Sequence, residues 1–399
     1  GDAGFNGCED IPTPAMDSIA ANGIRFTQGY VTSPQCAPSR SGLLTGHDQN
    51  KIGCNNNMVL DVAGLTDGPT IADHMRGAGY RTGMVGKWHL GTVSGKHPMD
   101  RGFDDFFGFL GGGSHYLPTG NRDSIADILD GRETVKVDRY LTDVFGEQAV
   151  EFISENKKDP FFLYLAFNAP HTPMQAPKEE IAKFQHLRKT NKVRPTYAAM
   201  VSIMDRNIQK VLDALRDEGI EEETIVVFLS DNGGPESKNG SDNGILRGVK
   251  GDILEGGIRV PFVLQWSGMI KTGQVVDVPV SSLDLLPTAL AAAGKEIPDN
   301  LDGRNLLPAL LGQGSYPKRV LTWLFPLRHD NQPTWWWGFR SGDWKLVYFN
   351  PRGQDGLDPN QFQTGLYNLK EDIGESTDLS ATYPEIRQRL QDGYDAWRT

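Results

Sequence analysis

Thr224-Ile225-Val226-Val227-Phe228-Leu229-Ser230 is a short apolar run rich in β-branched residues, and it ends directly on Asp231-Asn232-Gly233-Gly234. Such a run is strand-sized, and its composition favours a buried strand over a helix. Ahead of it, Met200, Ile203, Met204, Ile208, Val211, Leu212 and Leu215 recur with a helical period. The same order occurs upstream, where Leu141, Val144, Phe145, Ala149, Phe152 and Ile153 mark an amphipathic helix and 161–167 a strand behind it. A helix followed by a buried strand, repeated, predicts an α/β fold, because strands buried on both faces need helices to cover them.

Outward from this pair, further punctuation is visible. Thr13-Pro14 before Met16, Ile19 and Ala20, with Gly23 behind, reads as a short helix with Pro in its first turn. Thr70 opens another helix through Met75, closed by Gly77 and Gly79, and residues 283–293 form one more. The polar segment 295–318, broken by Pro and Gly, places a boundary near residue 315. A large domain over 1–315 and a small one over 316–399 are therefore expected. In the second, 320–325, 335–340 and 344–349 read as strands, and 384–397 as a final helix with Ile386, Leu390 and Tyr394 on one face, an α+β arrangement. No repeat or low-complexity tract interrupts the chain.

Composition excludes several classes. Of 399 residues, 40 are Lys or Arg and 51 Asp or Glu, giving a net charge of −11. Such a surface repels polyanions, which argues against general nucleic-acid binding. No apolar run approaches the roughly 18 residues of a membrane span. The three cysteines Cys8, Cys36 and Cys54 are too few for a disulfide scaffold and odd in number, although Cys8 and Cys54 are a candidate pair. The first residue is Gly1, so an upstream piece, a signal peptide, a first strand or both, is expected to lie outside this sequence.

The densest chemical signal is Cys36-Ala37-Pro38-Ser39-Arg40, followed by Ser41-Gly42-Leu43-Leu44-Thr45-Gly46. Cys36 stands where a helix begins, with Pro38 in the first turn. Unpaired N–H groups and a positive partial charge there stabilise an anion and lower a thiol pKa. Arg40 adds a permanent cation with a two-pronged fork for a tetrahedral oxyanion. The plain alternative is a buried structural Cys beside a capped turn, but a C-x-P-S-R string arises by accident in only about one such chain in a thousand. Asp231-Asn232 follow a strand, where ligand sites of α/β sheets gather, and their hard oxygens suit Ca²⁺ or Mg²⁺. An ordinary Asx turn is the plain alternative there. Lys87 and His89 alternate, so an extended backbone puts both on one face, where two cations bind sulfate or phosphate. His171 sits between Pro170 and Pro173 in a loop after a strand.

The Cys36 string resembles the sulfatase signature, in which the cysteine is oxidised to formylglycine. Gly86-Lys87-Trp88-His89-Leu90-Gly91 resembles the family's second signature, and Ala169-Pro170-His171 its later histidine segment. Ser230-Asp231-Asn232-Gly233-Gly234 is similar to its metal segment. Leu246-Arg247-Gly248-Val249-Lys250-Gly251 with Glu255-Gly256-Gly257 is similar to its lysine segment. Gly342-Asp343-Trp344-Lys345-Leu346 and Gly365-Leu366-Tyr367-Asn368-Leu369 resemble its small C-terminal domain. The resemblance runs in order across nearly the whole chain. It implies an alkaline-phosphatase-like sandwich, a large central mixed sheet flanked by helices, with 1–315 as catalytic domain and 316–399 as a small α+β domain bearing a short antiparallel sheet.

The resemblance also implies a mechanism. Formylglycine at position 36 is hydrated to a gem-diol, one hydroxyl attacks sulfur, and a covalent sulfo-enzyme forms. The second hydroxyl then loses its proton, with His89 as candidate base, and sulfate leaves. His171, helped by Lys250, is the candidate acid for a sugar leaving group. Arg40, Lys87, Lys250 and a metal held by Asp231, Asn232 and the modified Cys36 neutralise the sulfate oxygens. Family members add an Asp-Asp pair ending a first strand, just before the segment that here begins Gly1-Asp2-Ala3-Gly4; Asp2 is not assigned that role. Expected partners are a sulfated carbohydrate and a formylglycine-generating maturation enzyme, and the expected setting is export to periplasm or extracellular space, or a lysosome in a eukaryote. His115, in Gly111-Gly112-Gly113-Ser114-His115-Tyr116, together with Arg247, Trp335 and Trp337, are candidate substrate-binding residues, and His97 and Arg328-His329-Asp330 are weaker ones. Trp335-Trp336-Trp337 equally suits a strand packing the small domain on the large one. The rivals are a formylglycine-dependent phosphomonoester or phosphonate hydrolase and a catalytically silent glycan-binding protein.

Overall fold

The computed structural model describes all residues except 58–63, 119–125, 190, 330–331, 351–360 and 399, together with the side chains of 327–334. Thirteen strands among the described residues form three sheets, in sequence order β1 (Ile24–Tyr30), β2 (Arg81–Lys87), β3 (Asp105–Phe109), β4 (Ile128–Asp130), β5 (Glu133–Val135), β6 (Phe161–Ala166), β7 (Val226–Leu229), β8 (Phe262–Gln265), β9 (Gln274–Ser281), β10 (Val320–His329), β11 (Gln332–Ser341), β12 (Trp344–Phe349) and β13 (Gln363–Asn368). One mixed sheet runs β5-β4-β3-β2-β6, with β2 parallel to both β3 and β6. The second runs β7-β8-β1-β9, antiparallel except for β1 with β9. The expected α/β sandwich is present, its central layer built as two mixed sheets.

The helices follow the periods read from the sequence. Leu141–Asn156 and Arg194–Asp217 pack against each other, and the second buries Met200, Ile203, Met204, Ile208, Leu212 and Leu215. Ile203 is fully buried, so truncating it to Ala would cost about 2–5 kcal/mol. Thr70 caps Ile71–Gly77 with a reciprocal capping box to Asp73, and Pro14 starts Pro14–Ala21. No described helix is long and apolar enough to cross a membrane.

Among the described residues β6 pairs only with β2, and β7 only with β8. Their outer edges line one cavity of about 1130 Å³ that runs from Ile153 and Leu215 to Lys87, His171, Asp231 and Asn232. Every residue of β7 and the first five of β6 are only half-buried although almost all are apolar. The carboxyl ends of β2, β6 and β7 thus meet the mouth of this cavity.

The separate C-terminal sheet is an antiparallel meander, β10-β11-β12-β13. Strand alternation splits the tryptophan triplet. Trp336 faces Tyr30, Ile253, Ile258 and Trp323, joining this sheet to the rest of the molecule. Trp337 faces the final helix Pro384–Arg398 and stacks on Tyr394 with centroids 4.0 Å apart and planes at 11°. Trp337 is therefore core, which corrects its reading as a sugar platform. Trp335 lies half-buried on the same face as Trp337. Asp330 lies outside the described residues, as do the side chains of Arg328 and His329. Cys8 and Cys54 do not pair: both are free thiols in different apolar clusters, Cys8 bonded to Asp10 and Cys54 near Thr66.

Candidate active site

Cys36 opens the helix Cys36–Thr45, after Gln35 in extended conformation. Asn57 closes over it: its Oδ1 accepts from the Ala37 N–H at 3.2 Å and its Nδ2 lies 3.7 Å from Sγ. Burial raises the thiol pKa, but Lys87, Lys250 and Arg40 outweigh that and hold it below its usual value. One helical turn on, Arg40 is buried. Its Nε and Nη2 grip Asp231 Oδ2 at 2.9 and 2.8 Å, and its Nη1 donates to the Lys87 carbonyl at 2.9 Å and the Tyr164 hydroxyl at 3.3 Å. The fork expected to clasp an external oxyanion is thus turned onto Asp231. For Asp231, burial raises the pKa, yet Arg40, Lys87 and Lys250 prevail and keep the carboxyl far below its ordinary range.

Lys87 ends β2 and is buried; burial first, then Arg40 and Lys250, bring its pKa down to about 8. The expected alternation of Lys87 and His89 does not occur, because His89 has φ +60° and the extended backbone ends before it. That left-handed conformation is uncommon for a non-glycine residue and concentrates at functional sites. His89 reaches the site by another route. A Cβ on Gly112 would lie 2.7 Å from His89 Nε2, and one on Gly113 would lie 3.9 Å from His171 Nδ1. Consecutive glycines of one loop therefore lie against both histidines, and a side chain at 112 would displace His89.

His171 is held by its own neighbour: Nδ1 lies 2.7 Å from the Thr172 carbonyl, which only accepts, so Nδ1 carries the proton and Nε2 faces outward as the exchangeable atom. Burial, Lys87 and Lys250 bring its pKa down to about 4. Lys250 lies on a segment stitched to both ends of the site, its N–H on the Gly234 carbonyl at 3.1 Å and that of Gly251 on Pro34 at 3.0 Å. Arg247 belongs to the same segment but is turned away from it. It donates to the Glu375 carbonyl at 2.6 Å and lies over Phe349, which makes it a tie to the C-terminal sheet and corrects its reading as a substrate ligand. His97 is also structural, accepting from the Met99 N–H and packing edge-on against Phe106.

Asn232 donates to the Gly233 carbonyl, while its Oδ1 is buried without a hydrogen-bond partner. An orphaned amide oxygen beside an ionised carboxylate is the donor chemistry a hard cation requires, so these residues fit Ca²⁺ or Mg²⁺. Among the described residues no group of three or more His, Cys, Asp or Glu side chains converges on one point. Asp2 is not a spare ligand, since Arg194 and Tyr197 occupy its two oxygens at 2.7 Å each.

Asn57, Tyr164 and Gln175 were not legible as site residues. Asn57 belongs to the run Asn55-Asn56-Asn57 and Gln175 to Met174-Gln175-Ala176, and neither string carries a chemical pattern.

Comparison with known proteins yields consistent matches. The model of the family described as Sulfatase matches residues 1–295, and that described as N-sulphoglucosamine sulphohydrolase, C-terminal, matches 250–396. Human N-acetylgalactosamine-6-sulfatase is 34 % identical over 98 % of this chain and 81 % of its own length. The solved structure of Ps i-CgsB in complex with k-i-k-neocarrahexaose is 35 % identical, with a TM-score of 0.90 over 99 % of this chain and 89 % of that one. The phosphonate monoester hydrolase SpPMH from Silicibacter pomeroyi shares the fold, at 18 % identity and a TM-score of 0.72 over 99 % and 92 % of the two chains.

Proposed function

The chain belongs to the sulfatase family and is a sulfuric ester hydrolase, and we propose that it cleaves sulfate from a sulfated carbohydrate by way of formylglycine made from Cys36. The observation that carries this reading is the convergence of Cys36, at a helix N-terminus, with Arg40, Lys87, Lys250, Asp231 and His171. Formylglycine supplies a hydroxyl nucleophile at position 36, and Ca²⁺ or Mg²⁺ held by Asp231, Asn232 and residue 36 supplies concentrated positive charge beside the sulfate.

This chain's own residues account for the rest. Lys87 and Lys250 neutralise the sulfate oxygens, in a setting dry enough for each charge to count. Arg40 holds Asp231 ionised and aimed. His171 Nε2 delivers a proton to the leaving sugar oxygen, because an alkoxide leaves poorly without one. At rest His171 is neutral, because burial first and then Lys87 and Lys250 depress its pKa; a sulfate monoester set between the two lysines offsets their share and favours uptake of the proton His171 must give. His89, held against Gly112, is the base of the second half-reaction.

We place the two carboxylates that the family adds to the metal in the cavity between β6 and β7. Its apolar walls and two strand edges suit one extended apolar segment, whose end would arrive beside Asp231. We also divide the chain into a catalytic domain over 1–315 and a small domain over 316–399; the family match over 250–396 crosses that boundary. A sulfated oligosaccharide of the neocarrahexaose kind is the substrate we favour, on the likeness to Ps i-CgsB bound to k-i-k-neocarrahexaose.

The test is sulfate release from a panel of sulfated oligo- and polysaccharides by protein co-produced with a formylglycine-generating enzyme, with Cys36→Ser as control. Release by the wild type alone is expected. With nitrophenyl phosphate and a phosphonate monoester run alongside, their hydrolysis without sulfate release would point to a phosphoester or phosphonate hydrolase, and tight glycan binding without release, with position 36 converted, to a silent binder.

A further inference from the structure

His115 and Gln175 form a pair that no step above uses. The loop Gly111-Gly112-Gly113-Ser114-His115-Tyr116 is fastened to the segment 168–175 by two groups. The Tyr116 hydroxyl lies 2.6 Å from the Asn168 carbonyl and 2.8 Å from that of His171. The Gln175 carbonyl accepts from the Tyr140 hydroxyl at 2.9 Å, while the Gln175 side chain reaches back to the loop. Its amide orientation is decided by chemistry. The Tyr116 N–H can only donate, and the atom it meets at 2.9 Å is Gln175 Oε1. The other end of the amide, Nε2, is an NH₂ group that only donates, and it stands 3.0 Å from His115 Nδ1. Nδ1 must therefore accept, and the ring proton resides on Nε2, the atom on the far side of the half-buried imidazole.

We propose that Gln175 is a positioning residue that fixes His115 as an Nε2–H donor to an uncharged oxygen, a hydroxyl or ether, of the sugar that leaves from sulfate. The proposal rests on the sulfatase reading of the site. Its location follows from the same loop, since Gly112 and Gly113 lie against His89 and His171 and His115 is two residues beyond. The sugar oxygen that accepts the His171 proton thus has neighbours on the same ring within reach of this loop. A neutral N–H donor recognises such oxygens without the cost of stripping water from a second cation, and it discriminates sharply, because a site built to hydrogen-bond a hydroxyl leaves its donor unpaired when that hydroxyl is absent.

Gln175→Glu tests this. A carboxylate of the same shape still accepts from the Tyr116 N–H, but its second oxygen cannot donate to His115. The ring proton must then move to Nδ1, and Nε2 no longer serves as the sole donor. Long-range proton–nitrogen NMR of histidine-labelled protein above neutral pH is expected to show His115, assigned by its loss in His115→Phe, with the proton on Nε2 in the wild type and on Nδ1 in Gln175→Glu. Gln175→Glu and His115→Phe should each lower kcat/KM for a released sugar sulfate roughly ten-fold, the loss on nitrophenyl sulfate should be several-fold smaller, and the two changes together should cost no more than one. A wild-type ring protonated on Nδ1, or equal losses on both substrates, overturns the proposal. If the wild type hydrolyses neither substrate, the sulfatase mechanism fails while the NMR result still decides what Gln175 does to His115.

Discussion

The stability of Glu375→Gln relative to wild type should rise as pH passes from mild acid to above neutral, although the change removes one partner of a buried ion pair. Lys345 Nζ stands 2.8 Å from Oε1 of both Glu255 and Glu375, and all three side chains are fully buried. The two carboxylates are not equivalent. Glu255 also faces Arg259, at 3.3 Å, and receives the Tyr30 hydroxyl at 2.6 Å, with Arg340 nearby. Burial raises its pKa, but these cations overcome that and bring it down to about 2. Glu375 has Lys345 alone and is repelled by Glu255, so burial wins and lifts it from 4.5 to about 7. At about 1.4 kcal/mol per pH unit, that rise is worth about 3 kcal/mol.

The sign follows from proton counting. Between 4.5 and about 7 the folded protein keeps a proton on Glu375 that the unfolded chain has released, so stability falls as pH rises through that window and is level beyond it. Gln has no proton to lose, and its amide oxygen still accepts the Glu255 N–H that Glu375 Oε2 receives at 2.7 Å; its NH₂ then faces Lys345 Nζ donor to donor, a cost that is the same at every pH. The thermal midpoint of the variant minus that of wild type should rise by about 3–4 °C between about pH 4 and about pH 8. Subtracting wild type from variant at each pH cancels every other titrating group. A difference that stays level or falls as pH rises would mean that Glu375 is ionised and well paired throughout, which refutes the reasoning.

Three further outcomes are expected. His171→Ala should lower kcat on sugar sulfates by about 10²–10⁴-fold and on nitrophenyl sulfate far less, since only the sugar needs a proton; steady-state kinetics on both substrates would show equal losses if His171 is not the acid. Burial first, then Lys87 and Lys250, bring His171 down to about 4, and a bound sulfate ester offsets the share of the two lysines, so the pH above which kcat falls should lie higher than that for kcat/KM, which reports the free enzyme; coincident limbs in the two profiles would contradict this. Trp337→Ala should destabilise the C-terminal sheet by about 3–5 kcal/mol, measured by denaturant unfolding, with KM for a sugar sulfate changed no more than about two-fold, whereas a large rise in KM would return Trp337 to the substrate.

The parts of the fold that were legible are those whose pattern is local. Helices such as Arg194–Asp217 bury one stripe, and strands such as β6 and β7 are short apolar runs, so period and composition suffice. Strand β2 escaped because it reads Arg-Thr-Gly-Met-Val-Gly-Lys, a composition that argues against a strand. Its glycines have a reason visible only in three dimensions: a Cβ on Gly83 would strike Phe152, and one on Gly86 the carbonyl of Ala166. The chemistry of the site was legible for a different reason. Cys, Lys, His and Asp in short fixed strings are too uncommon to arise by chance, whereas the groups that hold them, Asn57 and Gln175, are ordinary residues in ordinary loops.

What composition does not encode is which partner completes a charged group. Arg40 and Arg247 are the same residue type in two strings that each border the site, and both read as ligands for an anionic substrate. Arg40 instead turns onto Asp231 and holds that carboxylate. Arg247 reaches a carbonyl 128 residues away and lies over Phe349, tying its own loop to the C-terminal sheet. Yet that loop carries Lys250 and is sewn to Pro34, ahead of Cys36, and to Gly234, behind Asn232. The buried Glu255–Lys345–Glu375 cluster stands at its far end, so the segment that carries Lys250 is anchored at one end beside Cys36 and Asn232 and at the other on the C-terminal sheet.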